Sequence, residues 1–198
     1  AVAAECLMNL GATVNRYCNE RSVDGFGICP NGIENLMSLY PETKVLLTVD
    51  NGISGIAGVA RAKERGLKVV ITDHHEPGET LPAADAVIDP KRRDESEAQY
   101  KDNCGAGVIW RIMLELYMRM GVSVYPVMQA VDLAALGTVA DVVPLTGMNR
   151  AIVQEGLRLM NEGVRPFFRV ISELLELKTI DAQYSIAFRI APMINAVS

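Results

Sequence analysis

The sequence predicts an α/β fold, a parallel βαβ sheet followed by a mainly helical portion. Three observations carry that prediction. Residues 44–50 (KVLLTVD) and 67–73 (LKVVITD) are continuous apolar, β-branched runs, the pattern of strands buried on both faces. Between them Ile53, Ile56, Ala57 and Ala60 recur at helical spacing, the last turn is basic, and Gly66 supplies the stop. Both runs end on a carboxylate, Asp50 and Asp73. Strand, helix and strand with short connections form a right-handed parallel unit, and ligands bind such sheets beyond the carboxyl ends of the strands.

The other elements follow in order. AVAAECLMNLGA reads as the body of a helix ending at Gly11, and Thr13–Glu20 alternates as a strand does. Residues 23–32 (VDGFGICPNG) are Gly-rich and turn-like, without the Lys-Ser/Thr of a phosphate-binding P-loop. Ile33–Leu39 is a short helix closed by Tyr40-Pro41, and Ala84–Pro90 a third, shorter strand. Lys91-Arg92-Arg93 opens a polar connector, beyond which Cys104–Gly121 is a helix. Residues 125–145 form a second helix that runs out at Gly137–Asp141, with Pro144 beyond. Residues 148–163 and 165–177 are amphipathic helices, and Asp181–Arg189 another; the stripe Met113, Leu116, Tyr117, Met120 belongs to the core.

Composition bounds the class. Hydrophobic residues make up 49% and charged residues 22% of the 198, enough for a sizeable core. No apolar run reaches the roughly 18 residues of a membrane span. A net charge of −5 argues against a broad nucleic-acid surface while leaving room for a carboxylate-lined metal site. Four cysteines without a Cys-x-x-Cys pair indicate neither a zinc ribbon nor a redox pair, and fit reduced thiols of a cytoplasmic protein.

Both histidines of the chain, His74 and His75, follow Asp73 at the end of the second strand, on the rim that Asp50 shares. Asp141 lies among small and apolar residues, where a carboxylate needs a hydrogen bond, an ion pair or a metal to offset desolvation. Carboxylates with one imidazole suit Mn²⁺ or Mg²⁺, the histidine favouring Mn²⁺. Two such ions bridged by an aspartate would activate a water at a phosphoryl centre, with the second imidazole a phosphate donor or general acid.

VDNG, TDHHEPGETLP, NCGAGV, GTVADVVPLTGMNR and FRIAPMINA, in that order, resemble the DHH phosphoesterases, in particular their RecJ-type single-strand-specific exonuclease branch. The resemblance implies a parallel α/β catalytic domain joined to a smaller substrate-binding domain. It also implies a two-metal Mn²⁺ or Mg²⁺ site and 5′ hydrolysis of single-stranded DNA, with no membrane and no protein partner inferable. It assigns Asp50, His74 and Asp141 as metal ligands, His75 to the scissile phosphate and Asp73 to orienting the pair. Arg189, Asn195, Asn149 and Arg150 become nucleic-acid contacts, a capping role being the alternative for Asn149 and Arg150. The family's Asp-x-Asp-Gly motif is absent and Met193 stands where the family has arginine. The expected division is therefore a DHH domain over residues 1–145 without its first strand, then a helical segment 146–198 leading to a substrate-binding domain outside the chain. Such a partial core is expected to bind metal poorly. Two other functions fit the same motifs: hydrolysis of short oligonucleotides, cyclic dinucleotides or pyrophosphate, and a non-catalytic α/β interaction module.

Overall fold

A computed structural model describes residues 1–19, 27–94 and 100–196. They belong to two compact units, residues 1–10 with 102–198 and residues 11–101. Helix α1 (Val2–Asn9) is part of the first.

The second unit is the α/β one. It contains α2 (Pro30–Leu39), β1 (Val45–Val49), α3 (Ile56–Glu64), β2 (Lys68–Thr72) and β3 (Ala86–Ile88). Pro30 starts α2 with its φ already helical, and the Cys29 thiol caps the helix by accepting from the Gly32 N–H at 3.4 Å. The sheet order is β1-β2-β3, all parallel, with Thr48 beside Ile71 and Val70 beside Ala86. Val69 and Ile71 of the central strand pack with Ile33, Val59, Ala62 and Leu67 as the core, flanked by Leu46 and Val87. Burying a side chain such as Ile71 contributes about 2 kcal/mol. Asp85 ties the lower edge together, accepting from the Val69 N–H at 2.8 Å and from Lys63 at 2.6 Å.

Two expectations change here. Residues 13–19 form no strand and pair with no strand among the described residues, and a strand is stabilised by its cross-strand neighbours. β1 is an edge among the described strands, so Val45 and Val49 are exposed rather than buried on both faces.

The helical unit adds α4 (Gly105–Met120), α5 (Tyr125–Gln129), α6 (Val131–Ala140), α7 (Gly147–Asn161), α8 (Pro166–Leu174), a π-helix (Ala182–Ile190) and α9 (Ala191–Asn195). Gly121, at φ 67°, ends α4 in the left-handed conformation that glycine adopts without strain. The expected second helix is two. The Trp110 indole donates to the Val127 carbonyl at 2.8 Å, and the chain restarts after Ala130. Asp181–Arg189 winds as a π-helix capped by Asp181, whose carboxylate accepts from the Tyr184 N–H and the Ser185 hydroxyl.

Helices α6 and α7 belong to one compact unit. α7 lies so close to α6 that a Cβ on Gly156 would stand 2.2 Å from the Ala135 Cβ, which places residues 146–161 in the same unit as α6. Buried Asp132 is held in this unit by Arg165, at 2.7 Å, and Arg165 also reaches Glu5 at 2.9 Å. Among the described residues, no helix is long and apolar enough to cross a membrane.

Candidate metal centre

Strand polarity brings the chemistry to one edge. β1 and β2 run parallel and in register, so the turns that follow them emerge side by side. Asp50 begins the first turn with φ 62°, a left-handed conformation that aspartate tolerates better than most residues. The Asp50 N–H donates to the Thr72 carbonyl at 3.0 Å, so the turn remains attached to β2. Gly52, at φ 115°, completes it where a Cβ would stand 2.9 Å from both the Thr48 hydroxyl and the Ile28 side chain.

Asp73 organises the second turn from a position that is 1% exposed. One carboxylate oxygen accepts from the His74 N–H at 2.8 Å and faces the His75 Nδ1 at 2.7 Å. The other accepts from the Ile53 N–H at 2.9 Å, which links the two turns. Burial pushes the Asp73 carboxyl up, but the Ile53 N–H, the His75 ring and the backbone N–H groups of both histidines outweigh it and hold the group below its ordinary range.

The histidines therefore diverge. His74 is buried, and its Nε2 lies 2.9 Å from Asp50 Oδ1. His75 is exposed, tethered through Nδ1, with its ring centroid 4.5 Å from that of His74. Ligand atoms of Asp50, His74 and His75 all lie within 4.8 Å of one another. One carboxylate and two imidazoles, open to solvent on the Asp50 and His75 side, form a donor set that fits a divalent cation of the Mn²⁺ type.

Asp89 is a site neighbour that sequence reasoning passed over. It follows β3, beside Asp73, whose N–H donates to the Ile88 carbonyl. Asp89 is 2% exposed; Oδ1 accepts from the Lys91 N–H at 2.8 Å, while Oδ2 has no donor among the described residues. Burial raises its carboxyl, the Lys91 N–H opposes this, and negative Asp73 adds to the rise. The available signal was a third strand ending on a carboxylate, the same feature that marked Asp50 and Asp73.

The remaining candidates belong to the helical unit. Asp141 is the C-cap of α6 and is exposed, at the negative end of the helix. Asn149 is buried, its amide donating to the Asp102 and Pro144 carbonyls at 2.8 and 2.9 Å. Its side chain ties two loops together. Arg150 is exposed on α7 and Asn195 is exposed at the end of α9. The Arg189 guanidinium lies 6.0 Å from the Tyr184 ring centroid. Of the basic connector, Arg92 binds the Val87 carbonyl and Asp94, and Lys91 pairs with Glu76 at 3.4 Å. Residues 23–26 of the Gly-rich segment lie outside the described residues, which resume at Gly27.

Comparison with known proteins decides the family. The model of the DHH family, N-terminal domain, matches residues 1–138. The chain belongs to the DHH family. It is 38% identical to the single-stranded-DNA-specific exonuclease RecJ of Dickeya dadantii, over 94% of this chain and 34% of that protein. It is 35% identical to RecJ of Escherichia coli, over 99% of this chain and 36% of that one. A crystal structure of exonuclease RecJ bound to manganese superposes with a TM-score of 0.83 at 35% identity, covering 98% of this chain and 48% of the other. The chain thus spans about a third of the length of the curated relatives it matches.

Proposed function

We propose that this DHH chain is part of the catalytic core of a metal-dependent phosphodiesterase that degrades single-stranded DNA from a 5′ end, as RecJ-type exonucleases do. The observation that carries the proposal is the convergence of Asp50, His74 and His75 within 4.8 Å, with buried Asp73 holding both histidine N–H groups. Asp50 and His74 are the residues that would hold Mn²⁺ or Mg²⁺. Bound there, the ion would activate water and neutralise charge on the phosphate.

The chain's own groups supply the rest. Asp73 fixes the His75 ring through Nδ1, which leaves Nε2 as the nitrogen presented to solvent. A proton on that nitrogen can be donated to a phosphate or leaving oxygen. Asp141, set against the negative pole of its own helix, is the further ligand candidate of the helical unit. Arg189, Asn195, Asn149 and Arg150 are the candidate contacts to the strand.

Mn²⁺ titration of the chain, followed by the metal's paramagnetic resonance, tests the centre. His74→Ala should weaken binding at least ~10-fold, and in the whole protein should abolish Mn²⁺-dependent release of nucleotides from single-stranded DNA. Equal Mn²⁺ affinity of wild type and variant overturns the proposed centre.

A further inference from the structure

We propose that Thr48 is a positioning residue for Asp50, its hydroxyl fixing the left-handed turn that aims the Asp50 carboxylate at His74. β1 pairing ends at Val49, one residue before Asp50 takes φ 62°. The carbonyl of Asn51, inside the turn, is captured by the Thr48 hydroxyl at 2.5 Å. The Thr48 residue is itself anchored from the neighbouring strand, its carbonyl accepting the Thr72 hydroxyl at 2.6 Å. Thr48 is 7% exposed and Thr72 0%, so water does not substitute for either hydroxyl.

The turn is then held at three points: Asp50 N–H on the Thr72 carbonyl, Asn51 carbonyl on the Thr48 hydroxyl, and Ile53 N–H on Asp73. Two of these are ties to β2 and its end. The third, the Thr48 tie, acts within the turn itself and opposes relaxation of Asp50 toward an ordinary φ. Gly52 leaves room for it, since a Cβ there would stand 2.9 Å from the Thr48 oxygen. The consequence for metal affinity rests on the metal centre proposed above; the hold on the turn does not.

Thr48→Val keeps the shape and the β-branch while removing the hydroxyl, and Thr48→Ser restores the hydroxyl. In the metal-free chain, amide hydrogen exchange at Asp50 and Ile53 should quicken at least ~10-fold in Thr48→Val, with the β2 amides of Val69 and Ile71 unchanged as the control for global stability. Thr48→Ser should return exchange toward wild type. Unchanged exchange at Asp50 and Ile53 overturns the proposal. With Mn²⁺, Thr48→Val should bind ~10-fold more weakly; a loosened turn with unaltered Mn²⁺ affinity overturns the aim assigned to Thr48. A wild-type chain without Mn²⁺ affinity overturns the metal centre alone, and the metal-free exchange still decides the turn.

Discussion

Asp73 in the α/β unit and Asp132 in the helical unit are equally buried, each 1% exposed, and serve opposite ends. Asp132 is neutralised by Arg165, which shares itself with Glu5 in a closed ion-pair group. Among the described residues no lysine or arginine is fixed on Asp73; backbone N–H groups and the His75 ring satisfy it. A buried carboxylate matched by arginine fixes helices to one another. One matched by N–H dipoles and an imidazole leaves the strand-end turns it holds free to present their other groups outward. Burial of an acid therefore does not mark a site; the chemistry of its partners does.

The sharpest way to break that contrast is Arg165→Ala. It strips two carboxylates of their partner and should destabilise the chain by about 3–5 kcal/mol, because an unpaired buried charge remains. Chemical denaturation measures this, and Mn²⁺ affinity per folded molecule should not change. Asp73→Asn should act the other way round. It turns an acceptor into a donor facing N–H groups, at a cost of about 2 kcal/mol, and it should lower Mn²⁺ affinity as well by releasing His75 and the Ile53 tie. A stability loss without any loss of affinity would collapse the distinction between the two aspartates.

The smallest effect concerns Asp89. Its carboxyl is raised in the folded chain, so its contribution to stability is fully present below the ordinary carboxylate range and is lost as pH rises through the folded value. Asp89→Asn removes that loss. The variant should be more stable than wild type at pH 7, with the advantage vanishing toward pH 3. A variant that is less stable at pH 7 would show that the charged form is the one the fold uses.

Much of this was legible in the sequence. The runs ending at Asp50 and Asp73, the helix between them and the short run before Asp89 are β1, β2, α3 and β3, because buried strands and amphipathic helices leave periodic patterns within a few residues. The failures lie where a pattern depends on a partner. Thr13–Glu20 alternates, yet its described residues 13–19 form no strand. The second long helix breaks at Ala130, beside the Val127 carbonyl that takes the Trp110 indole.

Residue order alone determined the fold class, the rim on which Asp50, Asp73, His74 and His75 meet, and the kind of ion that donor set suits, since strand polarity and ligand type are local properties of the chain. Only the tertiary structure decided that Asp50 is left-handed, that Asp73 rather than a cation holds the histidines apart, and that Thr48, Thr72 and Asp89 belong to the same edge. Those facts depend on hydrogen bonds between residues some twenty positions apart, such as Ile53 to Asp73 and Thr72 to Thr48, and no local periodicity encodes them.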